Sequence, residues 1–333
     1  MGEAASFVGP VPVIHMTDLY HPHMDPDDHW DAACVYALAA AGRYDLRLVA
    51  LDPPPYGKWI EWEPARGFGD PAIQAAHQLG AIAGVAPPVA VGSPAALLRA
   101  LEAAPAPAVI HVVGSCRDVA AAAASAPELF AARCRAVYLN AGLGTNDPAE
   151  ELVEHNVSLD PAAYAAMFAL PCPLYWLPCA ETKRWGTSAY GSFYSFRQGD
   201  VLSALSPRLQ NYFLYALSRS PDPAWLSALS RPVDEALLAS FGAQERGMYC
   251  TAGILHAAGV AATADGALVG LNERAEEHVF EFVPATVACD ASGRTRWTPG
   301  PASSSTRVLR VRDPERYPAA MASAMRQALS TLV

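Results

Sequence analysis

The stretch VIHMTDLYHPHMDPDDHWDAACVYAL, residues 13–38, decides the reading of this chain. It begins inside an apolar run, Val11 to Met16, that reads as a β-strand, and Asp18 follows directly. Asp25, Asp27 and Asp28 then lead into a helix expected from Asp28 to Ala41, with acidic residues suited to its N-terminus and Gly42 to close it. Asp18 thus stands just past the carboxyl end of a strand, where open α/β sheets place ligands. Carboxylates packed this densely repel one another, so something positive balances them: a hard cation such as Ca2+, or the helix N-terminus itself. A solvated acidic cluster with no ligand is the other reading, and these residues alone leave both open.

Outward from this segment, short β-rich runs alternate with Ala-rich helical stretches, the pattern of a parallel sheet covered by helices. Strands are expected at Leu46–Leu51, Val89–Val91, Ala108–Val113, Val137–Leu139 and Leu174–Leu177, with helices at 72–84, 94–103, 117–124 and 161–169 between them. The fold class is therefore α/β, an open, mainly parallel sheet with a Rossmann-like core over residues 10–180. After about residue 180 the rhythm breaks. The run ETKRWGTSAYGSFYSF (181–196) suits a long loop or lid, and helices are then expected at 200–217, 223–229, 233–241 and 250–258. A hairpin (279–289 with 295–297), a surface turn PASSST (301–306) and a helix over 318–332 complete the reading. With no repeat and no linker, residues 1–333 are expected to form one domain, with a helical, lid-bearing part from 181 to 333.

Composition narrows the partners. Hydrophobic residues make up 52% and charged residues 17% of 333, enough for a large core and too little charge for a disordered chain. The net charge of −10, with no long basic run, argues against nucleic acid and anionic membranes. The segment MGEAASFVGPVPVIHMTD lacks the basic and long apolar regions of a signal peptide, and no apolar stretch reaches membrane-spanning length. Seven scattered cysteines without a CxxC pair read as buried reduced thiols, so the expected compartment is the cytoplasm.

The aspartate segment resembles the N-terminal motif of the inosine–uridine nucleoside hydrolase family, in which a strand ends in Asp and an Asp-Asp pair opens a helix. Here LYHPHMDP (19–26) is an insertion between them. Two further segments are similar in order: AVIHVVGSCRDVAAAA (108–123), and EHNVSLDPAAYAAMFALPCPLYWLP (154–178), which matches an E-x-N followed by Asp-Pro and a helix. The resemblance implies an N-glycosyl hydrolase acting on a small ribosyl substrate. Asp18 would be a metal ligand and the base toward the attacking water, with Asp28 and the Val113 carbonyl as further ligands to Ca2+. Asp27, Glu154 and Asn156 would hold ribose hydroxyls, the last two from one face of an extended segment. GFGD (67–70) would offer Asp70 as another ribose contact.

One departure stands out. The family carries His-Asp at the start of a late helix, and in MYCTAGILHAAG (248–259) Met248 and Tyr249 fall at those positions. Tyr249 can face the substrate and donate a proton only weakly, since its ordinary pKa is about 10. His21, His23 and Asp25 on the inserted loop are the natural substitutes, and the two histidines raise the alternative of a transition metal. A catalytically silent ribosyl-binding protein of the same fold is the third reading. His15 reads as a satisfied core histidine. Tyr56, Trp59, Trp62, Trp185, Tyr190, Phe193 and Tyr194 read either as a wall that stacks a flat base or as ordinary loop packing. The resemblance also suggests a homodimer or homotetramer.

Overall fold

The computed structural model describes residues 9–20, 24–53, 69–147 and 149–333. The alternating half is laid out as expected. Strands β1 (Val11–Thr17), β2 (Tyr44–Leu51), β3 (Val89–Val91), β4 (Ala108–Val112), β5 (Cys134–Asn140) and β6 (Leu174–Leu177) are joined by α1 (Pro26–Ala40), α2 (Pro71–Ala83), α3 (Pro94–Ala103), α4 (Arg117–Ser125), α5 (Pro127–Arg133), α6 (His155–Leu159) and α7 (Pro161–Met167). Of these, α5 and α6 are short helices that the sequence reading passed over.

The second half holds more strand than expected. It runs β7 (Tyr194–Arg197), α8 (Gly199–Leu202), α9 (Pro207–Leu217), α10 (Glu235–Gly242), β8 (Glu245–Met248), α11 (Thr251–Ala257), β9 (Val260–Ala262), β10 (Leu268–Gly270), β11 (Phe280–Cys289), β12 (Thr295–Pro299), β13 (Thr306–Val311) and α12 (Tyr317–Leu329). The helix expected over 200–217 is broken, because Pro207 cannot donate within a continuing helix and instead starts α9 behind the Ser206 cap. The expected hairpin gains a third strand, β13, which enters the main sheet between β11 and β6.

That sheet has nine strands in the order β12-β11-β13-β6-β5-β4-β1-β2-β3. The run from β13 to β3 is parallel, and β11 alone runs against it, pairing antiparallel with both β13 and the edge strand β12. Apolar residues sort to its two faces by alternation: Val13 faces a core shared with α1, α2, α9, α11 and α12, while Ile14 and Met16 face one shared with α3, α4 and α7. The chain leaves β1 toward β2 and β3, then returns to lay β4 on β1's other side. The crevice between the carboxyl ends of β1 and β4 is therefore a topological switch point, the place where such sheets bind ligands.

One row of the sheet is polar. His15, His111, Tyr138 and Tyr175 pair across β1, β4, β5 and β6, and His256 of α11 packs on the two tyrosines. Tyr138 and His256 share a hydrogen bond of 2.8 Å, and Tyr44 donates to the Ile254 carbonyl.

Candidate active site at the switch point

Asp18 leaves β1 at the crevice and is 1% exposed. Neither of its carboxylate oxygens has a hydrogen-bond partner among the described residues. Burial, and after it the negative charges of Asp28, Asp25 and Asp52, raises its pKa well above the usual carboxylate range. Asp28 is held differently. The Thr17 hydroxyl and the Asp18 N–H, the latter at 3.0 Å, both donate to its Oδ2. Burial still pushes its pKa up to about 6.

These positions follow from local sequence. Pro26 takes the first position of α1, where its missing N–H costs nothing, and keeps Asp25 extended. Asp27 and Asp28 fall in the first turn, near the positive end of the helix dipole. Asp31, one turn further on, is fully buried on the face of Asp28. Its Oδ1 accepts from the Thr251 hydroxyl at 2.9 Å, and burial first, then Asp28, pushes its pKa up to about 8.

The loop after β4 closes the other wall. The Val113 N–H donates to the Met16 carbonyl at 3.1 Å, tying this loop to β1. Gly114 passes so close that an added Cβ would lie 2.8 Å from Asp52 Oδ2 and 3.1 Å from Asp18 Cβ and Cγ. Asp52, at the end of β2, accepts from the Ser115 N–H at 2.7 Å, and burial pushes its pKa up to about 7.

The remaining expected residues are placed as follows. Asn156 donates through Nδ2 to the Val113 carbonyl at 2.9 Å and to the Asn140 carbonyl at 3.2 Å. Glu154 caps α6, accepting from Gly142 N–H at 2.9 Å, Asn156 N–H at 2.9 Å and Val157 N–H at 3.4 Å. The E-x-N pair therefore opens a short helix rather than lying on an extended segment. Asp70 caps α2, accepting from Ala72 N–H at 2.8 Å. Asp27 is buried, and burial with the charge of Asp25 raises its pKa well above the usual range. His21, His23, Tyr56, Trp59 and Trp62 lie outside the described residues.

Met248 ends β8 fully buried in the apolar core, and α11 begins only at Thr251. Cys250 caps α11, and its Sγ and carboxylate oxygens of Asp28 and Asp31 all lie within 4.8 Å of one another. Tyr249 is half-buried, and burial first, then the charge of Asp27, raises its pKa. Its ring meets Trp185 edge-on, with centroids 5.7 Å apart, and Phe193 at 5.4 Å. Of the expected aromatic wall, Trp185 and Phe193 thus join Tyr249. Tyr190 packs on Trp297, and Tyr194 lies in the core with its hydroxyl 2.9 Å from that of Thr251.

Four site residues were missed in the sequence: Asp31, Asp52, Arg246 and Cys250. Asp52 carried a usable signal, because it ends a strand as Asp18 does. Asp31 stands three residues after Asp28, on the same helical face. Arg246 of β8 is half-buried beside the cluster, where burial lowers its pKa and the charges of Asp27 and Asp25 work against that shift. Cys250 gave no signal beyond being one of seven thiols. All seven cysteines are free.

The fold and this crevice define an α/β protein with the nucleoside hydrolase fold. Among solved structures, the type III effector XopQ complexed with adenosine diphosphate ribose is similar at 16% identity and a TM-score of 0.57, covering 98% of this chain and 95% of its own. A plant nucleoside hydrolase, PpNRh1, is similar at 16% identity and 0.55, covering 96% and 99%. A purine-preferring ribonucleoside hydrolase from Gardnerella vaginalis is similar at 14% and 0.52, covering 96% and 99%. No family model and no curated protein matches the sequence. Among the described residues, no helix is long and apolar enough to cross a membrane.

Proposed function

We propose that this chain hydrolyses the N-glycosidic bond of a ribonucleoside-like substrate at the β1–β4 crevice. The observation that carries the reading is Asp18: a fully buried carboxylate at the switch point with both oxygens unpartnered. A buried carboxylate without donors is costly unless it meets a cation or a reactant. Asp18, Asp28 and the Val113 carbonyl would hold a cation, and such an ion, Ca2+ in the simplest case, supplies an acidified water when bound.

Water attacks the anomeric carbon as its bond to the base nitrogen breaks, and Asp18 takes the water's proton. Asp27, Glu154, Asn156 and Asp70 orient the ribose hydroxyls, so binding energy is spent on positioning the reacting carbon. Trp185, Phe193 and Tyr249 stack the leaving base. That base needs a proton, and Tyr249 is a poor donor because its pKa is raised. Ordinary purine and pyrimidine ribosides should therefore turn over slowly, whereas p-nitrophenyl riboside, whose leaving group needs no acid, should fare better. The site works in the cytoplasm on a small ribosyl ligand, in a homodimer or homotetramer. His21 and His23 supply the alternative of a transition-metal ligand set.

Asp18→Asn tests the reading. Turnover of p-nitrophenyl riboside should fall by roughly 100-fold or more, the contribution of a general base, with the melting temperature not lowered. A parent protein that cleaves no riboside removes the hydrolase reading. A second reading, a silent ribosyl-binding protein, is favoured because the late segment from Met248 to Cys250 supplies neither a histidine acid nor a carboxylate ligand. Adenosine diphosphate ribose, held by the similar effector, is the probe for it. Calorimetric binding without turnover would decide for this second reading.

A further inference from the structure

The donor set at the crevice does not suit an all-oxygen calcium cage, because one of its convergent atoms is sulfur. Cys250 Sγ and carboxylate oxygens of Asp28 and Asp31 come within 4.8 Å of one another, and all three residues are buried. Neither oxygen of Asp18, whose backbone N–H is bonded to Asp28, has a hydrogen-bond partner among the described residues, and Asp31 is hydrogen-bonded by Cys250 itself, which brings the thiol onto the carboxylate. Cys250 and Val113 also line one small cavity, with His111, Asn140 and Gly253 among its walls.

Calcium takes six to eight oxygen donors and gains little from a thiolate. A borderline ion such as Zn2+ binds thiolate at about 2.3 Å and carboxylate oxygen at about 2.0–2.2 Å in a four-coordinate shell. Donors around such a centre stand roughly 3–4 Å apart by that geometry, within the small movement that buried side chains can make. One thiolate and two carboxylates leave a position open for water, the arrangement of catalytic rather than structural zinc.

We propose that Cys250 is a metal ligand and that, with Asp28 and Asp31, it makes this a mixed sulfur–oxygen centre selecting a thiophilic divalent cation of the Zn2+ class over Ca2+. The proposal rests on the hydrolase reading but moves its cation onto Cys250, Asp28 and Asp31 and leaves Asp18 as the base, and its test does not depend on turnover.

The full-length protein, stripped with chelator, is titrated with Co2+ as a spectroscopic stand-in for Zn2+, and separately with Zn2+ and Ca2+ while thermal unfolding is followed. The parent should develop a near-ultraviolet sulfur-to-cobalt charge-transfer band at one equivalent, absent in Cys250→Ser. Zn2+ should raise the melting temperature at lower concentration than Ca2+ by at least roughly 10–100-fold, the scale of losing one supporting group at a metal site. Cys250→Asp, which restores a carboxylate, should lose the band and reverse the preference. If that variant fails to fold, Cys250→Ser alone still decides through the band. Cobalt binding without the charge-transfer band, or stabilisation by Ca2+ but not Zn2+, overturns the proposal and leaves the hydrolase reading standing. Failure of the hydrolase reading shows separately, as a metal-loaded protein that cleaves no p-nitrophenyl riboside.

Discussion

Gly114 shows how closely single atoms are fitted at the crevice. A Cβ there would meet Asp52 Oδ2 at a distance no relaxed contact allows and press tightly on the Asp18 side chain, and both carboxylates stand at strand ends. Gly114→Ala should therefore cost about 1–3 kcal/mol of stability, the usual range for overpacking. It should also displace Asp18, so turnover or ribosyl binding should fall more than stability does. Urea denaturation beside a binding titration checks both. His15 is the opposite case. The sequence reading has it as a satisfied core histidine; it is in the core, but neither ring nitrogen has a partner among the described residues. Burial lowers its pKa to about 3. Above pH 6.5 both folded and unfolded chains hold this imidazole neutral, so it costs no proton linkage there. As pH falls below 6.5 the unfolded chain takes up a proton that the folded chain refuses until about pH 3, and stability is lost across that window. His15→Leu should remove about 1.4 kcal/mol of lost stability per pH unit between those limits. Comparing urea midpoints of parent and variant at pH 7 and pH 5 would expose an unchanged acid slope, which would show that another group governs it.

At the scale of elements, the strand–helix alternation was legible because apolar period and breaker residues agree. Val89–Val91, Pro94–Ala103 and Leu174–Leu177 have the expected bounds, and Asp70 and Gly84 cap α2 at its two ends. What escaped were short strands, β7, β8 and β13, whose pairing is set by distant partners rather than by local pattern. The PASSST turn runs straight into β13, and nothing in those six residues announces a strand that will lie beside β6. The site was legible to the same extent. Asp18, Asp27 and Asp28 come from one contiguous segment, whereas Arg246 and Cys250 arrive from β8 and the start of α11, more than 200 residues away. Asp70 makes a test of element against site. Its carboxylate caps α2, so Asp70→Ala should cost about 1 kcal/mol as an ordinary N-cap loss. A loss of ribosyl affinity on top of that, measured at a temperature where both proteins are folded, would assign it to the sugar as well. Unchanged affinity would leave it a cap.

For the whole molecule, the order of strands in the sheet is not the order in which they are made. Strand β6 pairs on one side with β5, its neighbour in time, but its other edge is covered only by β13, from residues 306–311. At roughly 5–20 residues per second of synthesis, β6 waits on the order of 6–26 s for that cover. An uncovered central strand is a template for pairing with another chain. Helix α12 is later still, and its buried Met321, Met325 and Leu329 belong to the core that backs α1, the helix carrying Asp27, Asp28 and Asp31. The growing polypeptide on the ribosome thus carries a nearly complete parallel sheet whose acidic helix is not yet supported, with one edge open to self-association until the distal third emerges.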